Sequence, residues 1–254
     1  MAADYNIEHW TSAPIVLEGG KNNAISIPVN DRAATRQAII TTLARKGHKL
    51  IERSSWHAEA PRAAMRESHW DYQDIVIHHA GRSYSCGAPS MTEIQRAQRD
   101  DMRRSIPFDD IGYHYAISCQ GVIYEGRDIR YVGEHVSGGN TGKVGIVLLA
   151  DLVKAGEAYE QEYKDMSLGQ RIKALPQILV DRLVINHDKP TEPQVKALGT
   201  LSEVLKEFFN ITRLGGHREY QMLTNGNGRA CPGDLGMTIV KSMRSQLGLS
   251  APNK

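Results

Sequence analysis

The stretch "DIVIHHA", residues 74–80, decides how this chain is read. Ile75, Val76 and Ile77 form a short β-branched apolar run, the pattern of a buried strand. Two histidines close it. Side chains alternate faces along a strand, so His78 and His79 cannot both point at the same site.

Working outward, "VGIVLLAD" (144–151) reads as a second buried strand, and "YHYAISCQGVIYEGR" (113–127) as two strands joined by a Gln-Gly turn. Helices are expected between them. "NDRAATRQAIITTLARKG" has Asp31 as a cap, an apolar stripe at Ile39, Ile40 and Leu43, and Gly47 as a stop. "SMTEIQRAQRDDMRRS" opens with Ser90 and Glu93 at capping-box spacing. "TEPQVKALGTLSEVLKEFFN" carries Thr191 and Gln194 at the same spacing, with apolar residues at 195, 198, 201, 205 and 208. A last helix follows Asp234. Strands separated by helices, with one hairpin, predict an α/β fold: a central mixed sheet covered by helices.

The chain has 254 residues, enough for one large domain with an appendage. A net charge of +2 gives no electrostatic footprint for nucleic acid. Three separated cysteines make no disulfide framework. The start "MAADYNIEHW" lacks the basic and apolar regions of a signal peptide, and no apolar run is long enough for a membrane span, so synthesis in the cytoplasm is expected.

A metal centre is the sharpest chemical possibility. A catalytic zinc takes three protein ligands and keeps one position open. His217 and Cys231 stand in "GHREYQMLTNGNGRACPGDLG" (216–236), and His78 on its strand is the natural third. Spacing alone leaves core histidines and a structural cysteine equally open, because ten histidines make chance combinations easy.

The ordered series "RSSWHA", "IVIHHAG", "DIGYHYAISCQGVIYEGR", "VGEHVSGGNTGKVGIVLL", "TEPQVKAL" and "GHRE…RACPGD" shifts that balance. It resembles the zinc N-acetylmuramoyl-L-alanine amidases, the family of phage amidase-lysozymes and peptidoglycan recognition proteins, over about residues 50–245. The resemblance implies one catalytic Zn²⁺ held by His78, His217 and Cys231. It implies hydrolysis of the amide between the lactyl group of N-acetylmuramic acid and L-alanine of the stem peptide. Tyr113 matches the family's active-site tyrosine. Arg229 stands where phage relatives carry lysine and recognition-protein amidases a small hydroxyl residue; it can stabilise an oxyanion but is a poor proton donor. His135 and Asn140 align with a substrate-contacting loop, while His79 and His114 read as structural. The strand 144–151 lacks the glutamate of cell-wall-recycling amidases, which points to intact peptidoglycan. Cys86 matches one half of a family loop disulfide whose partner, near Thr92, is absent. Cys119 then reads as a buried thiol, with a Cys86–Cys119 bridge left open.

Two regions depart from the family: residues 1–50, an N-terminal extension with one helix, and 152–190, an insertion in an amidase domain of 51–250. The insertion, "SLGQRIKALPQILVDRLVI" included, reads as a helix interrupted at Pro176. Ile172, Leu175, Ile178, Leu179 and Leu183 supply a stripe expected to pack on the core. These additions suit a wall-degrading effector handled by a secretion machine or an immunity protein and acting in a target cell's periplasm; a phage lysin fits as well. The competing readings are a recognition module that binds muropeptides without cleavage, and a stem-peptide endopeptidase.

Overall fold

The computed structural model describes residues 31–82, 86, 91–154, 157, 169, 172, 175 and 188–253. Its strands are β1 (Leu50–Ile51), β2 (Asp74–His79), β3 (Tyr115–Ile117), β4 (Ile123–Glu125), β5 (Lys143–Leu148) and β6 (Arg213–Gly216). They form one sheet in the order β1-β4-β3-β5-β2-β6, parallel throughout except for the β3–β4 hairpin. The mixed sheet is therefore the expected one. Its helices are α1 (Asp31–Arg45), α2 (Thr92–Arg103), α3 (Glu192–Phe208), α4 (His217–Asn225) and α5 (Gly233–Leu247).

Alternation along β2 sorts the two faces. Ile75 and Ile77 join Ile39 and Leu43 of α1, Leu198 and Leu205 of α3, and Val240 of α5 in the main core. On the opposite face Val76 packs with Val136 and Tyr220. Further along that sheet a second cluster gathers Trp56, Ile94 of α2, Ala116, Tyr124 and Val147. The parity that sends Val76 to this second face sends His78 there too.

Helix α1 belongs to the main core, and Arg36 also ties it to the buried Glu125 of β4 at 2.7 Å. Residues 1–30 lie outside the described residues, as do Pro176, Ile178, Leu179 and Leu183. Ile172 and Leu175, expected on a core-facing stripe, are instead 64% and 52% exposed. Two capping expectations also change. Helix α2 has Met91 at its N-cap with no side-chain bond, one residue beyond the expected Ser90, which is not among the described residues. Helix α3 keeps half its box: Thr191 Oγ1 accepts from Gln194 N, but the Gln194 amide turns inward and donates to Ile117 O at 2.9 Å. Ile117 O also accepts from Leu149 N at 2.9 Å, so the Gln194 amide adds a second donor to a buried β3 carbonyl.

Cys119 is not a buried thiol. It is joined to Cys86, across 33 residues of chain.

Candidate metal centre

Three separate elements converge on the second face of the sheet. His78 is the penultimate residue of β2, His217 opens α4 directly after β6, and Cys231 sits in the turn before α5. The β6–α4 junction can lie against that turn because residue 216 is glycine. A Cβ there would stand 2.4 Å from Met237 Sδ and 2.8 Å from Pro232 Cδ. One of the N–H groups left open at the α4 N-terminus, that of Arg218, is then satisfied by Cys231 O at 2.9 Å.

Ligand atoms of His78, His217 and Cys231 all lie within 4.8 Å of one another. Cys231 Sγ is 3.6 Å from His78 Nδ1, and the two imidazole centroids are 4.6 Å apart. Two atoms bound at 2.0–2.3 Å to a tetrahedral ion stand about 3.5 Å apart, so the S···N spacing suits a shared zinc. The donor set, one thiol and two imidazoles, is also one zinc accepts. Burial pushes the His217 pKa down to about 4, with Arg229 and His79 lowering it further. Burial likewise holds His78 well below the ordinary value, with His217, His135 and His79 adding to the effect. Both rings are therefore neutral, as metal ligands must be.

Each imidazole has an outer partner. His217 Nε2 meets Gln221 Oε1 at 3.2 Å, one helical turn on. His78 Nε2 meets His135 Nδ1 at 3.1 Å. Tyr113 lies beside the centre, its ring centroid 4.8 Å from that of His78. Arg229 is exposed on the loop preceding Cys231.

His135, expected to contact substrate, meets His78, and Asn140 meets the backbone of its own loop. His135 is buried behind His78, only 6% exposed. Asn140 Oδ1 accepts from the backbone N–H groups of His135 and Val136, at 2.8 and 2.7 Å. His114 and His79 point elsewhere. His114 Nδ1 accepts from Gly145 N at 3.0 Å and its Nε2 donates to Tyr131 O at 2.9 Å; His79 Nδ1 accepts from Leu152 N at 3.1 Å.

Three positions of consequence were not singled out by sequence reading: Gln221, Arg218 and Glu157. Gln221 could have been found as the residue four places after a helical histidine. Arg218 donates to Asp234 Oδ1 at 3.0 Å, and also to Ala230 O and to Glu157. Nothing in the sequence announces Glu157 as its partner, 61 residues away.

The buried histidines give zinc-free protein a signed pH dependence. Burial lowers His114 to about 4, and His217 to a similar value, while His78 and His135 are also held down. An unfolded chain binds these protons from pH 6.5 downward, so stability falls as pH drops from about 6.5 towards 4, by about 1.4 kcal/mol per pH unit for each group. Asp101, raised by burial to about 6, acts in the opposite sense between 3.8 and 6 and offsets about one of them. Urea unfolding of zinc-free protein at pH 7.5 and pH 5 is expected to show a clear loss at the lower pH.

A mostly parallel mixed sheet carrying a His-His-Cys cluster on one face defines a fold with a candidate metal centre. The chain belongs to the N-acetylmuramoyl-L-alanine amidase family Amidase_2, whose sequence profile matches residues 68–234. Peptidoglycan-recognition protein LB of Drosophila melanogaster is 31% identical over 104 residues, which is 41% of this chain and 44% of that protein, so the match spans less than half its length. The solved structure of Drosophila PGRP-LB superposes with a TM-score of 0.58 at 22% identity, covering 82% of this chain and 99% of that one. The endolysin N-acetylmuramoyl-L-alanine amidase LysCS of Clostridium intestinale gives 0.53 at 20% identity, over 80% and 97%. Peptidoglycan recognition protein LE, solved in complex with tracheal cytotoxin, a monomeric diaminopimelic acid-type peptidoglycan, gives 0.55 at 22%, over 79% and 95%. These likenesses establish the fold. Among the described residues, no helix is long and apolar enough to cross a membrane.

Proposed function

We propose that this protein is a zinc-dependent amidase that cleaves the bond between the lactyl group of N-acetylmuramic acid and L-alanine in intact peptidoglycan. The observation that carries the reading is the convergence of His78, His217 and Cys231 within 4.8 Å. Bound there, zinc would supply a Lewis acid for the scissile carbonyl and activation of the attacking water. His78 and His217 would hold the ion through neutral nitrogens, and Cys231 would bind it as thiolate. Tyr113, whose ring lies 4.8 Å from that of His78, would orient water or donate to the growing oxyanion. Arg229, close enough to act on His217 electrostatically, adds positive charge and moves no proton, because guanidinium does not give one up near neutrality.

The Cys86–Cys119 bridge supports a working place outside the reducing cytosol, in the periplasm or at the wall. That suits a bacteriolytic effector or lysin. Muropeptide is the expected ligand, consistent with the bound form of the LE relative.

Digestion of purified sacculi with mass analysis of the soluble products tests the reading. Amidase action releases intact stems bearing a free L-alanine amine. Shortened stems would indicate an endopeptidase, and binding without soluble product a recognition module. Activity that survives complete zinc removal would overturn the proposed centre.

A further inference from the structure

We propose that His135 is a positioning residue for the metal centre: its Nδ1 accepts the Nε2 proton of His78 and so holds His78 in the tautomer whose Nδ1 lone pair faces Cys231. This rests on the reading of His78, His217 and Cys231 as metal ligands.

A neutral imidazole carries one proton, and the nitrogen that carries it cannot bind a metal. At His217 the choice is forced by backbone. Ser137 N donates to Gln221 Oε1 at 3.2 Å and Ser137 O lies 3.4 Å from Gln221 Nε2, which fixes the amide orientation. The same Oε1 then accepts from His217 Nε2, leaving Nδ1 as a lone pair.

Among the described residues, His78 has no such backbone partner. Its Nδ1 faces Cys231 Sγ at 3.6 Å and its Nε2 faces His135 Nδ1 at 3.1 Å, so a proton could rest on either side. A proton on Nδ1 would be donated to the sulfur and would occupy the position a shared ion needs. A proton on Nε2, accepted by His135, frees both ligands together. His135 then carries its own proton on Nε2, the ring nitrogen that does not face His78.

The fold holds this ring in one place. A Cβ on residue 145 would stand 2.5 Å from His135 Cδ2 and 2.7 Å from its Nε2, so glycine in β5 is what admits the ring. Asn140 pins the backbone of His135 and Val136 from the other side. The His78 and His135 rings meet edge to face, 5.0 Å apart at 84°. His135 and Ser137, the backbone anchor of Gln221, sit on one loop, so a single loop sets the outer partners of both imidazoles.

The test is zinc affinity, measured by competition with a chromophoric chelator. His135→Phe keeps a ring but removes the acceptor, and is expected to weaken zinc binding by about 10–100-fold. His135→Asn restores an acceptor at the Nδ1 position and is expected to bind close to wild type. The visible spectrum of the cobalt-loaded protein should change in the first variant and not in the second. A folded His135→Phe variant with wild-type affinity and an unaltered cobalt spectrum would overturn the proposal. Nitrogen-15 NMR of zinc-loaded wild-type protein gives a readout that needs no variant: the proton is expected on His135 Nε2, and finding it on Nδ1 overturns the assignment. Wild-type protein that binds no zinc would remove the metal centre itself, an outcome distinct from an intact centre indifferent to His135.

Discussion

Cys231→Ser is expected to lose stoichiometric zinc and to lower sacculus hydrolysis by on the order of 10³-fold or more, about 4 kcal/mol of barrier. A serine hydroxyl stays protonated near neutral pH and offers no thiolate, so only the two imidazoles would remain. The fold should survive, because Cys231 lies outside the disulfide and is only half-buried. Retention of the variant on sacculi is expected, since the wall-binding surface does not depend on one sulfur. Metal content by elemental analysis, soluble product by mass, and pelleting with sacculi read the three quantities separately. In wild-type protein, zinc affinity should weaken as pH falls, because thiolate and neutral imidazole both compete with protons. A Cys231→Ser protein that digests sacculi at the wild-type rate would sink the mechanism, whatever its zinc content.

The sequence carried the fold legibly where packing follows simple periodicity. The runs at 74–80 and 144–151 are strands, and the stripe of Leu198, Leu201 and Leu205 does face the core. Alternation along β2 separated His78 from His79 without any knowledge of the tertiary structure, because strand geometry has a period of two. What the sequence hid were contacts made by pairs distant in the chain. His135 lies 57 residues from His78, and only the closing of β5 beside β2, with glycine at 145, brings the rings together. The family resemblance read His135 as a substrate contact. The Cys86–Cys119 bridge was left open for the same reason: nothing local sets a Cα–Cα distance of 5.7 Å across a loop and a hairpin. Capping followed local rules at Thr191 but yielded at Gln194, where a buried carbonyl of β3 claimed the amide.

Glu157→Ala is expected to be the most damaging substitution remote from the chemistry. Glu157 comes from the segment 152–190, expected from sequence to be an insertion, yet its side chain is 4% exposed and pairs with Arg218, itself 15% exposed. Its Oε2 accepts from Asp234 N at 2.9 Å and from Lys154 N at 2.8 Å. Alanine would leave two backbone donors and part of a buried guanidinium without partners. Breaking a buried pair from one side costs about 3–5 kcal/mol, and the remaining Arg218–Asp234 contact places the expectation near the lower figure. For a chain of this size that is a fall of about 10 °C in Tm. The injury should also reach the metal, because Arg218 supports Ala230 O and Cys231 O on the loop that carries the sulfur. Replacing both partners, Glu157→Leu with Arg218→Met, separates the two effects. Apolar groups of similar size should recover much of the stability, whereas the support of the Ala230 carbonyl is gone and zinc affinity should stay low. Thermal unfolding of zinc-free protein, set beside chelator competition for each variant, reads both. An unchanged Tm in Glu157→Ala would mean that the ion pair holds nothing, and the coupling of this segment to the cysteine loop would fall with it.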